Sequence, residues 1–129
     1  MRVLVAATGL YTYPDAVVVC GDPQFTDQRF DTLTNPNLIV EALLPSTEAN
    51  DRGRKFEQYA AIASLQEYLL IASDRVHVDL YTQQPDGRWL LTSANRMEDA
   101  LELESVGCRV GLVEVYEKVD LEGPQTASA

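Results

Sequence analysis

Apolar residues in this chain fall into short runs whose length is typical of β-strands rather than of long helices. The run at 16–20, Ala-Val-Val-Val-Cys, is continuous and suits a strand buried on both faces of a sheet. Residues 76–82 instead alternate between apolar and polar positions, the pattern of a strand with one face in the core. The whole pattern predicts strands at 2–8, 15–20, 37–44, 67–72, 76–82, 88–92 and 101–103.

One main helix is predicted between the third and fourth strands. Pro45 stops the third strand, and Ser46 or Thr47 can cap a helix that runs to about residue 63. Apolar side chains recur along this segment at helical spacing, which gives the helix one face for packing on a sheet. Lys55 falls at the border of that apolar face, so we expect its ammonium group to lie near the sheet.

The remaining segments predict turns, loops and one short helix. Pro-Asp-Gly at 85–87 is a strong turn sequence and predicts a hairpin between the two strands that flank it. Residues 9–14 are expected to be a linker, and the polar segment 21–37 a surface loop. A second short helix is predicted at 112–119. We therefore expect a mixed α/β sheet with an antiparallel hairpin towards the C-terminus.

Size and composition favour one globular domain. The chain has 129 residues, of which 46% are hydrophobic, enough for a single core. We expect the domain to cover 1–121 and the tail 122–129, with its small residues, to be disordered. The apolar runs are far shorter than the roughly 20 residues of a membrane span. Cys20 and Cys108 have no partner at metal or redox-motif spacing, which favours reduced thiols in a cytoplasmic protein.

Charge argues against strong nucleic-acid binding. The net charge is −10, with only ten Lys and Arg residues, whereas DNA binding draws its affinity from such cations. Arg52, Arg54 and Lys55 form the one local basic cluster in the sequence. If phosphate is bound, we expect it there, helped by a metal cation that offsets nearby carboxylate charge.

Two carboxylates form the strongest candidate site. Glu41 interrupts an apolar strand, and a buried carboxylate is costly unless it is paired, protonated or bound to a cation. Asp15 follows Pro14 at the start of the preceding predicted strand. Side by side at one edge of a sheet, the two would offer a divalent metal hard oxygen ligands. The bland alternative is that Pro-Asp is a common pair and that Glu41 points to solvent.

A wider sequence pattern supports a metal site at these two carboxylates. The segments YPDAVVVCG, NPNLIVEALLPSTEANDRGRKFEQYAAIASLQEYLLIASDR and VDLYTQQPDGRWLLT resemble the Uma family ("Uma-two" type) of bacterial restriction-endonuclease-like proteins, within the PD-(D/E)XK nuclease superfamily. The resemblance extends from Tyr13 to about Val119. It implies an α/β fold of the restriction-endonuclease type: a mixed β-sheet, a helix between the catalytic strand and the next, and a C-terminal antiparallel hairpin.

The resemblance also implies roles for individual residues. Asp15 and Glu41 would be metal ligands for Mg²⁺ or Mn²⁺, with the backbone carbonyl of Ala42 as a third. Lys55 would orient the attacking water and stabilise phosphate charge. The implied function is metal-dependent hydrolysis of phosphodiester bonds in DNA, in which Asp15, Glu41 and Lys55 are the catalytic residues.

Supporting residues are implied as well. Tyr59 and Glu67 would surround the metal ligands without touching the metal, and Arg52 and Arg54 would contact phosphate. His77 is a conceivable ligand or base, but it has no His or Cys partner, and a solvent-facing strand residue explains it better.

The chain departs from the family pattern in two ways. In the superfamily motif a Lys follows the acidic residue by two positions, but position 43 is Leu, so Lys55 must act from the helix. Family members also carry a segment with helices and an early Glu ahead of the first strand seen here. Without it one sheet face would be uncovered, which favours a homodimer or higher homo-oligomer. The alternative function is thus a catalytically inactive oligomerising or regulatory protein of the same fold.

Overall fold

A computed structural model of the protein describes residues 2–26, 32–44 and 55–117. Within these ranges the chain forms ten strands, two short α-helices and one 3₁₀ turn at Glu104–Val106. The strands are β1 Arg2–Val5, β2 Leu10–Thr12, β3 Ala16–Val18, β4 Thr32–Leu33, β5 Leu38–Leu43, β6 Glu67–Ala72, β7 Val78–Gln83, β8 Trp89–Ala94, β9 Ala100–Leu103 and β10 Cys108–Gly111. The helices are α1 Phe56–Ala60 and α2 Leu112–Tyr116.

The main sheet has five strands in the order β3-β5-β6-β7-β8. Strands β5 and β6 are parallel, and every other pair in this sheet is antiparallel. A parallel pair needs a crossover connection, and the segment between β5 and β6 provides it and carries α1. The predicted α/β restriction-endonuclease-like fold is confirmed, including the helix between the Glu41 strand and the next strand.

Both faces of the main sheet are covered, and each has its own core. On one face Tyr59 and Ile62 pack against Ile39, Leu43 and other apolar residues of β5 and β6. The opposite core is built from the remaining alternate positions of the same strands and from the C-terminal elements; its buried members are Leu38, Leu69, Val78, Leu80, Ala94, Leu101, Leu103, Leu112 and Tyr116. Since consecutive residues of a strand point to opposite faces, a near-continuous apolar run is what a doubly covered sheet requires.

A second, smaller sheet packs on the α1 side with the strand order β2-β1-β4. Val3 and Val5 of β1 are completely buried there, and Leu33 of β4 is 2% exposed. The sequence-based assignments of 9–14 as linker and of 21–37 as surface loop are therefore wrong in part, because each contains one strand of this sheet. Both strands are only two or three residues long, too short for an apolar run to reveal them.

The C-terminal elements close the other face. Strands β9 and β10 form an antiparallel hairpin around Gly107, whose φ of 62° lies in the left-handed region that glycine adopts readily. The phenol oxygen of Tyr116 on α2 lies 2.8, 2.9 and 3.1 Å from the carbonyl oxygens of Ala72, Arg75 and His77. Its one proton is available to any of the three, and this contact ties α2 to the strand ends. The predicted antiparallel hairpin around the Pro-Asp-Gly turn is confirmed as β7 and β8, and β9 with β10 adds a second, C-terminal hairpin, of which β10 was not predicted.

Several element boundaries differ from the sequence-based prediction. Strand β3 is shorter than predicted and is not buried on both faces, because it lies at the edge of the main sheet. The described part of the main helix covers Phe56–Ala60, and its proposed caps, Ser46 and Thr47, lie outside the described residues, as does the predicted tail. Among the described helices none is long and apolar enough to cross a membrane.

Candidate active site

Glu41 stands at the centre of a hydrogen-bonded group between β5 and α1. Its side chain is only 3% exposed, on the face that α1 covers. The Lys55 ammonium group lies 2.8 Å from Oε2, and the Tyr59 phenol donates to Oε1 at 2.7 Å. The cation and the phenol stabilise the carboxylate that burial would otherwise penalise. The structure thus brings Glu41, Lys55 and Tyr59 together, as the sequence led us to expect.

A second hydroxyl extends this group into the small sheet. The Oγ1 of Thr12, on β2, lies 2.8 Å from the phenol oxygen of Tyr59. A phenol has one proton, and Tyr59 gives it to Glu41, so Thr12 must be the donor to Tyr59. The hydrogen bonds therefore run in one series from Thr12 through Tyr59 to Glu41. Its direction fixes the Tyr59 hydroxyl as a donor towards the carboxylate.

Electrostatics keep Tyr59 protonated. Burial raises the pKa of its phenol most strongly, and the Glu41 carboxylate and the charge of Asp15 raise it further, while the Thr12 hydrogen bond lowers it. Its net pKa lies well above the ordinary value. A neutral phenol remains a donor throughout the physiological range, so Tyr59 can hold Glu41 but cannot accept a proton from water.

Asp15 reaches the site from the start of β3. Its Oδ2 accepts a hydrogen bond from the backbone N–H of Ala42 at 2.7 Å, directly beside Glu41 along the strand. The Asp15 side chain is exposed, and its Oδ1 has no hydrogen bond with any residue in the described ranges. The N–H and C=O of one strand residue leave the strand on the same side, so the Ala42 carbonyl is directed towards Asp15 as well.

These groups form a suitable donor set for a hard divalent cation. Asp15 offers a free, exposed carboxylate oxygen, Glu41 offers a second carboxylate, and the Ala42 carbonyl lies on the Asp15 side. Mg²⁺ and Mn²⁺ favour oxygen ligands of this kind and keep several waters. Within the described ranges no group of three or more His, Cys, Asp or Glu side chains is placed to hold a metal ion. A cation here would therefore depend on a backbone carbonyl and water.

Glu67 lies elsewhere, which corrects its expected place beside the metal ligands. It is opposite Leu38 in the β5–β6 register, three positions from Glu41, and strand alternation puts it on the other face of the sheet. Its carboxylate is fully buried and accepts hydrogen bonds from the Ser105 backbone N–H, the Ser105 hydroxyl and the Thr82 hydroxyl, at 2.8, 2.6 and 3.0 Å. Glu67 thus anchors the turn between β9 and β10 to the main sheet.

Two further expectations concern charged residues around the site. Arg52 and Arg54, predicted to bind phosphate, lie outside the described residues. His77 is not simply a solvent-facing residue, because its Nε2 lies 3.1 Å from the Asp79 carboxylate, and its side chain is 27% exposed. Asp79 is 4% exposed and also accepts from Ser93 at 2.6 Å. The alternation of apolar and polar residues along β7 did not predict the burial of Asp79. That pattern indicates a sheet with one covered face, and both faces of this sheet are covered.

Comparison with known proteins gives the class first. The mixed sheet, with its parallel β5–β6 pair and the helix between these two strands, is that of a restriction-endonuclease-like α/β fold. Residues 1–112 match the sequence profile of the Uma2 family, whose description reads "Putative restriction endonuclease". The chain belongs to the Uma2 family.

Two curated proteins are similar to this chain in sequence. The chain is 40% identical over 116 residues to "Uncharacterized protein slr1290" of Synechocystis sp. (strain ATCC 27184 / PCC 6803 / Kazusa), a match that covers 90% of this chain and 60% of the relative. It is 42% identical over 92 residues to "Uncharacterized protein sll1609" of the same organism, covering 71% of this chain and 52% of the relative. The chain thus matches between half and three fifths of each relative's length.

Proposed function

We propose that this chain carries the catalytic site of a metal-dependent DNA endonuclease. The family points to a nuclease, and the observation that supports catalysis most directly is the 2.8 Å contact between Lys55 and the buried Glu41. Asp15 is held beside this pair by Ala42. Two carboxylates, one lysine and a backbone carbonyl are the groups that hydrolysis of a phosphodiester needs around the scissile phosphate.

In this proposal each residue of the chain has one task. Asp15, Glu41 and the Ala42 carbonyl hold Mg²⁺ or Mn²⁺, which when bound supplies positive charge to the phosphate and lowers the pKa of a water molecule. Lys55 orients the attacking water and stabilises negative charge that develops on the phosphate oxygens. Tyr59 keeps Glu41 in position, since its raised pKa leaves it a donor.

DNA is the proposed substrate in spite of the net charge of −10. Such a charge repels a polyanion, so binding depends on the cation held at the site and on local basic residues. The same charge supports the second candidate, a catalytically inactive protein of this fold that oligomerises or regulates. The two candidates differ in whether the chain cleaves DNA when a divalent metal is present.

The test combines metal binding with cleavage. Mg²⁺ and Mn²⁺ are titrated calorimetrically into the wild-type chain and into Asp15→Ala, Glu41→Ala and the control Asp22→Ala, which removes an exposed carboxylate away from the site. Plasmid cleavage is measured on the same four proteins. We expect Asp22→Ala to match the wild type and the two site variants to lose binding and at least about 100-fold in rate.

Each result has a clear meaning. The proposal is supported if Asp15→Ala and Glu41→Ala each lose both metal binding and DNA cleavage. A wild-type chain that binds neither cation contradicts it. Metal binding without DNA cleavage, in protein whose far-ultraviolet spectrum shows it to be folded, favours the inactive candidate instead.

A further inference from the structure

Strand β8 forms one edge of the main sheet and is exposed along most of its length. It pairs with β7, and within the described ranges no strand pairs with its other side. Four consecutive residues, from Leu90 to Ser93, are exposed, with Leu90 at 55% and Leu91 at 49%. An edge strand presents a row of N–H and C=O groups that another strand can pair with.

The direction of the β8 backbone groups can be deduced from the hydrogen bonds of β7, the strand beside it. The N–H of Gln83, on β7, donates to the carbonyl of Gln66, on the β6 side. Backbone groups alternate in direction along a strand, so Thr82 and Leu80 face β8. Their partners in β8 are Leu90 and Thr92, whose N–H and C=O groups therefore face β7.

The other residues of β8 direct their backbone groups outwards. These are Trp89, Leu91 and Ser93, which alternate with the residues that bond to β7. Leu91 stands in the middle and is half exposed, so it offers both an apolar side chain and an N–H and C=O pair that bonds to no strand in the described ranges. The outer edge of β8 is thus a short but regular hydrogen-bonding surface.

This edge lacks the features that usually prevent pairing. Natural edge strands are protected by Lys, Pro, inward-pointing charges or bulges. The segment 89–95, Trp-Leu-Leu-Thr-Ser-Ala-Asn, contains no charged residue and no Pro, and its register with β7 runs without a bulge.

We propose that β8 pairs with the β8 strand of a second copy of this chain. A two-fold antiparallel arrangement places Leu91 opposite Leu91 of the second copy and Trp89 opposite Ser93, all of which direct their backbone groups outwards. Each chain then completes the hydrogen bonding of the other, and the paired leucines bury apolar surface. The product is a continuous sheet of ten strands.

Charge is compatible with a second copy as the partner. The antiparallel register lays residues 89–93 of one chain along residues 89–93 of the other, and none of these residues is charged, so no like charges come to lie opposite each other. The two ends of β8 carry ion pairs of mixed sign, Arg88 with Asp86 and Arg96 with Glu98, so neither end brings a run of like charges together. The net charge of −10 on each chain remains as a general repulsion, which salt screens.

The contact is small and the expected dimer is weak. Stable interfaces bury about 1,600 Å² in total, more than one pair of six-residue strands contributes. We therefore expect dissociation in the micromolar range, with tighter association at higher salt. Association does not require DNA cleavage and is measured without it, so a failed association test leaves the proposed hydrolysis untouched.

The experiment is sedimentation velocity of the full chain from about 1 to 500 µM, at about 0.05 and 0.5 M NaCl. Two variants test the edge: Leu91→Pro removes an outward N–H without breaking the β7 pairing, and Leu91→Lys keeps the N–H but adds charge. The control is Val113→Lys, which changes an apolar residue with 58% exposure on α2 in the same way.

We expect the wild type and Val113→Lys to form dimers with increasing concentration, more strongly at high salt. Both Leu91 variants should remain monomeric over the same range while keeping the wild-type circular dichroism spectrum. A wild-type chain that stays monomeric at 500 µM overturns the proposal, as do folded Leu91→Lys dimers of unchanged affinity. Should Leu91→Pro fail to fold, Leu91→Lys alone decides.

Discussion

At the scale of single residues, the fold isolates one carboxylate and surrounds it with donors. Glu41 sits in an apolar strand with Lys55 on one oxygen and Tyr59 on the other. Each oxygen keeps a lone pair beyond these bonds, which a cation can use. Lys55 and Tyr59 therefore compensate the burial of Glu41 and still leave lone pairs of its side chain for a cation.

Substitution of Tyr59 tests the hydroxyl chain. Tyr59→Phe removes the donor to Glu41 and leaves the Thr12 hydroxyl without its acceptor. We expect the free energy of unfolding at pH 7 to fall by about 1–3 kcal/mol, the cost of unsatisfied buried groups. Urea unfolding measures it. Tyr81→Phe is the matched control, because the Tyr81 ring, like that of Tyr59, packs on Tyr68, while its hydroxyl makes no hydrogen bond to a residue in the described ranges. Equal losses in the two variants would contradict the prediction.

Sequence patterns located the main site residues but not all of their neighbours. Glu41 was identifiable because a charge in an apolar run conflicts with the burial that the run predicts. Thr12 was not identifiable, since its contact with Tyr59 joins positions 47 apart and depends on a sheet of very short strands. Glu67 was wrongly expected beside the metal ligands, because the Glu-Tyr sequence does not indicate which face of the strand each side chain occupies.

At the scale of elements, the buried Glu67 connects the C-terminal hairpin to the main sheet. Its three hydrogen bonds come from Thr82 on β7 and from Ser105 in the turn between β9 and β10. Because these donors are neutral, the carboxylate depends on all of them. The position of the turn is therefore fixed by one charged side chain from another strand.

Removal of this carboxylate should loosen the hairpin. Glu67→Ala leaves three donors without an acceptor, and we expect a loss of about 3 kcal/mol or more. Glu102→Ala, on the exposed side of β9, removes only a surface ion pair with Arg109 and should cost less than about 1 kcal/mol. Amide hydrogen exchange should show faster exchange in β9 and β10 for Glu67→Ala. Unchanged protection there would contradict the assigned role.

Longer elements were predictable from the sequence, and three of the short strands were not. The apolar runs of β5 and β6 gave their positions almost to the residue, and the Pro-Asp-Gly turn gave the β7–β8 hairpin. Strands β2, β4 and β10 were missed, because each has at most four residues and is held by neighbours distant in sequence. For such strands tertiary pairing, not local propensity, decides the structure.

At the scale of the whole molecule, two buried phenols link stability to alkaline pH. Burial is the main cause that raises the pKa of both Tyr59 and Tyr116 above the ordinary value of 10.0. The folded chain therefore holds these protons more tightly than the unfolded chain. Their contribution is complete below pH 10 and is lost as the pH rises from there through the raised values.

Urea unfolding at pH 8 to 11 tests this dependence. We expect the free energy of unfolding to fall above pH 10, by up to about 1.4 kcal/mol per pH unit for each phenol. Tyr59→Phe should be less stable than the wild type at pH 8 but should lose less as the pH rises, since one of the two phenols is gone. Parallel curves for the two proteins above pH 10 would contradict the assignment to Tyr59.

The position of the lysine has a consequence for how the site is assembled. Leu43, where the superfamily pattern has its Lys, is buried in the core, and the cation comes from Lys55 at the start of α1. The carboxylates and the lysine thus arrive on separate pieces of chain. Under the proposed function, a molecule in which α1 has not docked on the strands lacks the lysine at Glu41 and cannot cut DNA. Cleavage would then require both pieces of chain to be in place.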